Sequence, residues 1–344
     1  MGARRGPGRH GRCAELTGWC SVRAVSPPGE KSLPTGWMSD LASMAGRLVS
    51  DLRHHDSALW RRAFRAGVVY GPEPFVRLAP LGFGLFFGAA LGAARERVLA
   101  NLRRALGPRP RHVELTDAAR VFMNFACSMT DAFAVAEGRR HLLLAERKHD
   151  EHFTRALAEG RGVIAATAHT GGWQVAGAIV KKHHPEADII IVMHRERDAR
   201  AQRVQDQARD RAGMRVLHVG GDPLDALPVL GHLRKGGVVA MQIDRVPGGM
   251  RGRRVKLFGE PWSIPEGTLM LSALSGAPIV PSFARRLGYL SYDIYTHPAI
   301  RLPRKPKDGD LDTAAQALAD ALAQFVRENP TQWFDFGMEP RGER

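Results

Sequence analysis

From Gly160 onward the chain alternates short apolar runs with longer amphipathic stretches. Val163 to Ala168 is an apolar run bounded by Gly162 and followed by Gly171-Gly172 and a helix-compatible stretch, so it reads as strand, turn, helix. Ile189 to Met193, Val216 to Val219, Val238 to Ile243 and Ile279 to Phe283 are further strand candidates separated by helical segments. This pattern predicts an α/β fold, a sheet with covering helices. Leu311 to Glu328 closes it as an amphipathic helix, with Leu311, Ala315, Leu318, Leu322 and Phe325 on one face.

Upstream the pattern is helical throughout. Leu48, Leu52, Leu59, Ala63, Ala66 and Val69 recur at helical spacing among basic residues, predicting an amphipathic surface helix within Leu41 to Tyr70. Leu78 to Ala94 carries no charge and is flanked by Arg77 and Arg95. Its length is at the lower limit for a membrane span, and its glycines and Pro80 weaken a straight helix. An interfacial or shallowly inserted segment is expected, with a buried core helix as the alternative. Thr116 to Gly138 continues as helix, with Thr116-Asp117 as its expected cap. The domain plan is a disordered Arg-, Gly- and Pro-rich extension over 1–37, a helical, membrane-associating region over 38–148 and an α/β domain over 149–344. Met38 offers an alternative start.

Composition narrows the partners. Fifty Lys+Arg against 35 Asp+Glu in 344 residues give a net charge of +15, suited to anionic membranes, nucleic acid or acidic proteins. The few aromatics are not interleaved with basic residues, and no zinc finger or RNP box is present, which sets nucleic acid aside. Cys13, Cys20 and Cys127 lack metal-ligand spacing and are odd in number, so neither a zinc site nor a disulfide framework is expected.

The chemistry centres on His169, where the first of these strands ends. A neutral imidazole there is suited to act as a general base, and Gln174, about one helical turn on, is placed to orient the ring through its amide oxygen. The free N–H groups opening the next helix favour a developing negative oxygen. A capping or core histidine beside an ordinary glycine turn is the alternative. No GxSxG or Walker lysine points to other chemistry.

The segment Ala168-His169-Thr170-Gly171-Gly172-Trp173-Gln174 resembles the AHxGNWE block of the bacterial lipid A biosynthesis acyltransferases, within the lysophospholipid acyltransferase-like superfamily. It departs from that block at Gln174, where the family has an acid. Arg97 to Leu102, Leu233 to Arg245, Val255 to Pro261, Gly276 to Pro281 and Asn329 to Phe336 resemble later family blocks in consistent order, from about Arg95 to Phe336. The resemblance implies a glycerolipid acyltransferase-like mixed sheet preceded by N-terminal helices. It also implies a membrane-bound enzyme on the cytoplasmic face of the inner membrane, with no cofactor and no metal.

The donor so implied is an acyl thioester, on acyl carrier protein or as acyl-CoA, and the acceptor a hydroxyl of a lipid A-type glycolipid or lysophospholipid. His169 would be the base and Asp244 a site acid. Since Gln174 lacks a carboxylate, Asp244 is also a candidate charge partner for His169, with a turn-capping Asp as the alternative. Gly171, Gly172, Trp173, Arg195, Arg209 and Arg245 fall on the substrate-binding side, the arginines suited to phosphate. Pro265-Glu266-Gly267-Thr268 is similar to a phosphate-contacting PEGT element, but it lies too close to the superfamily's last block, and Glu266 is expected to be a helix N-terminal charge. The closing Pro330-Thr331-Gln332-Trp333 block is expected to pack. A weakly catalytic lipid-binding protein on the same scaffold and a hydrolase using water are the rival functions.

Overall fold

The computed structural model describes residues 58–147, 150–195, 199–220 and 222–337. The 1–37 extension, Leu48, Leu52, Cys13 and Cys20 lie outside them. The N-terminal region is helical: α1 (Ala58–Tyr70), α2 (Glu73–Ala90), α3 (Gly92–Leu106) and α4 (Arg111–Ala136). The uncharged run is split. α2 ends at Leu91, and α3 leaves at 97° to it.

Within α2, Val76, Pro80, Gly84 and Gly88 form the buried stripe. Their spacing of four puts them on one face, and two of the four, Gly84 and Gly88, have no side chain to keep a neighbour away. A Cβ at Gly84 would stand 2.5 Å from Met123 Cα, so α4 crosses here almost in backbone contact. The large apolar side chains point the other way: Leu78 is 64% and Phe86 62% exposed, with Phe75, Leu81, Phe83 and Leu85 also on the surface. The helix is therefore half core and half exposed apolar face.

α4 begins at Arg111, five residues before the expected cap. Thr116 lies inside the helix, and its hydroxyl donates to the His112 carbonyl. The start follows Pro110 instead, and Glu114 in the first turn, held by Arg103 at 2.7 Å, supplies the negative charge a helix N-terminus favours.

The sheet has seven strands, in the order β1-β9-β8-β2-β5-β3-β4. These are β1 (Leu144–Arg147), β2 (Val163–Thr167), β3 (Ile189–His194), β4 (Arg215–Val219), β5 (Val238–Gln242), β8 (Ile279–Gly288) and β9 (Ser291–Thr296). β8, β2, β5, β3 and β4 run parallel, while β9 is antiparallel to β8. β6 (Gly252–Leu257) and β7 (Glu260–Pro265) form a separate antiparallel hairpin. The mixed sheet agrees with the expected fold class. β1, β6, β7 and β9 were not anticipated, and β1 lies upstream of the boundary expected at residue 149. All described residues fall in one compact unit.

One sheet face carries the main core. Ile164, Ala166, Val239, Ile279 and Phe283 pack there with α8 (Ala226–Arg234), α9 (Glu266–Ser275) and α10 (Asp308–Glu328). The other face meets α5 (Glu151–Ala158) and α6 (Ala176–His183), while α7 (Ala199–Arg211) leads into β4. Glu266 is the first residue of α9 and pairs with Arg253 at 2.8 Å, a helix-terminal charge as expected.

Polar anchors tie α4 to the sheet. Fully buried Asp131 accepts from Arg286 Nε at 2.8 Å, Leu290 N at 3.2 Å and the Tyr292 hydroxyl at 2.6 Å. Such a charge is tolerable only because its lone pairs are met.

Candidate active site

The register of two neighbouring strands assembles the site. Thr167 of β2 pairs with Gln242 of β5; His169 and Asp244 each follow two residues on, so both leave the sheet's carboxyl edge side by side. Ile243 N donates to Thr167 O at 2.8 Å, extending the pairing to that point. The carboxyl edge of a parallel sheet is where such folds build binding sites.

Asp244 is fully buried and His169 has 21% of its side chain exposed. Imidazole Nδ1 lies 3.0 Å from Asp244 Oδ1 and 3.2 Å from Oδ2. The His169 backbone N donates to Oδ2 at 3.2 Å, and Trp333 Nε1 donates to Oδ2 at 3.1 Å. Burial alone would raise the carboxyl's pKa. The His169 charge and hydrogen bond, the nearby Arg245 and the Trp333 indole outweigh it and hold the group far below the usual range, as a carboxylate. An acceptor on Nδ1 fixes the proton there and leaves Nε2 as the basic nitrogen.

Gln174 does not take the orienting role expected of it. Its amide oxygen accepts from Arg209 Nη2 at 3.4 Å, while Asp244 occupies the ring's Nδ1 side. The carboxylate facing the ring comes instead from 75 residues away in sequence.

The glycine turn also differs from expectation. Gly171 N donates to Gln332 O at 3.0 Å and Gly172 N to Ala284 O at 3.2 Å, so neither amide is open to a substrate oxygen. These glycines serve close approach. A Cβ on Gly171 would stand 2.8 Å from Arg286 N, and one on Gly172 would stand 2.6 Å from the Tyr292 ring. Ser128 of α4 donates to the Gly171 carbonyl from the other side.

The arginines separate into distinct environments. Arg195 is exposed at the end of β3. Arg209 is only 5% exposed, bonded to Gln174 and paired with Asp206 at 3.2 Å, so it is a buried tie rather than an open phosphate contact. Asp206 also holds His218 at 2.9 Å. Arg245 is half-buried and donates through Nη2 to Phe334 O at 2.5 Å, next to the His169 loop.

Trp173 joins the dyad to a cavity. Its ring centroid is 5.9 Å from that of His169, and it stacks on Phe125 at 5.8 Å. It also lines an open, mainly apolar cavity between the sheet and α6. Ala165, Ile191 and Ala240 form the sheet side, Gly177 and Val180 the helix side, and Phe153 with His184 the end away from Trp173. Among the described residues no group of three or more His, Cys, Asp or Glu could hold a metal ion.

The segment after α10 was expected only to pack. Besides the Trp333 bond to Asp244, Phe334 N donates to His169 O at 2.8 Å. Asp335 is gripped by Arg97 Nη2 at 2.9 Å and Asn101 Nδ2 at 3.0 Å. The signal was present in the sequence, since a Trp beside buried polar groups needs a partner for its N–H.

The profile of the bacterial lipid A biosynthesis acyltransferases matches residues 52–337. Phosphatidylinositol mannoside acyltransferases from two strains of Mycobacterium tuberculosis are 30% identical over 185 residues, 53% of this chain and 56% of theirs. The chain thus spans a little over half the length of these relatives. A phosphatidylinositol mannoside acyltransferase of Mycolicibacterium smegmatis is 27% identical over 259 residues, 73% of this chain and 82% of that protein.

The crowding at Gly171 gives a direct test. Gly171→Ala is expected to destabilise the fold by roughly 1–3 kcal/mol, because the backbone it meets cannot swing aside. Urea unfolding of the variant beside wild type measures this.

Proposed function

The chain belongs to the bacterial lipid A biosynthesis acyltransferase family, and we propose that it transfers a fatty acyl chain from a thioester to a hydroxyl of a membrane glycolipid. The observation that carries this reading is the His169–Asp244 pair at the sheet edge, joined through Trp173 to an apolar cavity. His169 Nε2 removes the proton as the acceptor oxygen attacks the thioester carbonyl, and Asp244 stabilises the imidazolium that forms. The tetrahedral oxyanion collapses with loss of the thiolate, which takes the proton back from His169.

With the Gly171 and Gly172 amides occupied, Arg245, whose charge acts on Asp244, is the candidate for countering the oxyanion. Exposed Arg195 suits a donor or acceptor phosphate. The cavity takes the acyl chain, where its apolar walls reward every methylene buried. The acceptor is a glycolipid by analogy with the relatives' names, and the donor is either acyl carrier protein or coenzyme A.

The membrane is reached through α2. Leu78, Phe86 and their neighbours form an exposed apolar face, and among the described residues no single helix is long and apolar enough to cross a bilayer. We therefore infer interfacial seating, on the cytoplasmic face of the inner membrane, where acyl thioesters are supplied. The rival reading, a lipid-binding scaffold without catalysis, drew its support from Gln174. It weakens because a carboxylate faces the ring from Asp244.

Purified full-length chain given acyl carrier protein or coenzyme A thioesters, with lipid A-type and phosphoinositol mannoside acceptors, is expected to yield an acylated glycolipid by mass spectrometry. Free fatty acid alone would identify a hydrolase, and no product would favour the scaffold. His169→Ala is expected to lower kcat by roughly 10²–10⁴, and Asp244→Asn by a comparable factor. Gln174→Glu leaves kcat little changed, since position 174 faces Arg209.

Two further outcomes follow from the cavity and from α2. Gly177→Leu fills the helix side of the cavity, so the products shift toward shorter chains in a competition between donors of different length. Leu78→Asp with Phe86→Asp reduces co-flotation with anionic vesicles severalfold without changing the circular dichroism spectrum.

A further inference from the structure

We propose that Trp333 is a positioning residue for the His169–Asp244 pair, delivered by a strap formed from residues 332–335. The inference rests on the reading of His169 as the base, but its geometry is independent of the acceptor. Asp244 presents two oxygens to the site. Oδ2 takes the indole N–H at 3.1 Å and the His169 backbone N–H at 3.2 Å, while Oδ1 faces imidazole Nδ1 at 3.0 Å.

Two fixed donors on Oδ2 resist rotation of the carboxylate, and this holds its two oxygens at 3.0 and 3.2 Å from imidazole Nδ1. An indole N–H only donates, so Trp333 holds the carboxylate without competing for the transferred proton. Trp333 is 5% exposed and Asp244 fully buried; loss of the donor would leave an acceptor partly unmet in a site closed to water.

The strap is pinned on both sides of the indole. Gln332 bonds the Arg286 backbone through Oε1 at 2.7 Å and Nε2 at 2.8 Å, and its own carbonyl takes Gly171 N. Asp335 is fixed by Arg97 and Asn101 of α3. Between these anchors Trp333 forms a β-bridge with Thr170, and Phe334 N holds the His169 carbonyl. The imidazole's own loop and its carboxylate partner are thus set by one short segment. Packing alone would need neither the indole bond nor its direction.

The test compares Trp333→Phe with Trp262→Phe in the full-length chain. Trp262 packs on Trp333 at a centroid distance of 5.7 Å but makes no bond to Asp244, so it controls for lost ring area. Trp333→Phe is expected to lower kcat roughly tenfold to hundredfold, the equivalent of one hydrogen bond to a charged group, with KM unchanged. Trp262→Phe is expected to leave kcat and KM as in wild type. In histidine-labelled protein, the His169 Nδ1–H resonance should exchange faster with water in Trp333→Phe and remain as wild type in Trp262→Phe.

Equal effects of the two variants, or a wild-type kcat and Nδ1–H signal in Trp333→Phe, would overturn the proposal. If Trp333→Phe does not fold, Asp244→Asn read at the Trp333 Nε1–H resonance decides: an upfield shift supports the bond, and an unmoved signal refutes it. Absence of acyl transfer in the wild type would overturn the functional reading while the resonance measurements still judge the clamp.

Discussion

A single buried carboxylate organises this molecule. Asp244 has no exposed surface, and a charge removed from water is costly unless every lone pair finds a donor. Those donors come from segments far apart in sequence: the ring and backbone of His169, and the indole of Trp333. Meeting them requires β2 beside β5 in one register and the chain's closing segment folded back across their ends. A one-residue slip in that pairing would turn either His169 or Asp244 to the opposite face.

The same arrangement explains how the site tolerates Gln174. Two functions that one local motif would combine are divided here. The carboxylate facing the imidazole comes from β5, while position 174 joins Arg209, Asp206 and His218 in a polar tie beside the cavity. A neutral amide suits that second place. Arg209 already has Asp206 as its counter-ion, so a further carboxylate would add a charge the cluster does not need. Trp173 links the dyad to the cavity, with its ring beside His169 on one side and lining the cavity on the other.

The local features of this plan could be read from the sequence, and the non-local ones could not. The run Val163 to Ala168 with its glycine turn announces strand, turn and helix, because period and turn chemistry are properties of neighbours in the chain. The central strands followed for the same reason. β9 escaped because its Ser, Asp and Thr dilute the apolar signal, and the β6–β7 hairpin because β6 is dominated by Arg and Lys while Pro261 and Pro265 in β7 argue against a strand. The glycine amides looked available because nothing in residues 160–177 reveals that Gln332 and Ala284 would claim them. Asp244 was legible as a site acid through family resemblance. Its distance to His169 was not, since that depends on which strand lies next to β2.

The helical layer belongs to the same mechanical body as the site. Small residues let α2 cross α4 closely, α4 sends Asp131 to Arg286 and Ser128 to the Gly171 carbonyl, and α3 sends Arg97 and Asn101 to Asp335. The face of α2 left outside carries the large apolar side chains, so the packing that shapes the core also turns that face outward. On the proposed interfacial seating, the lipid surface would then be rigidly connected to the His169 loop through two layers of side chains. On that seating, the packing of α2 on α4 and of α4 on the sheet sets the height of the His169 loop above the bilayer.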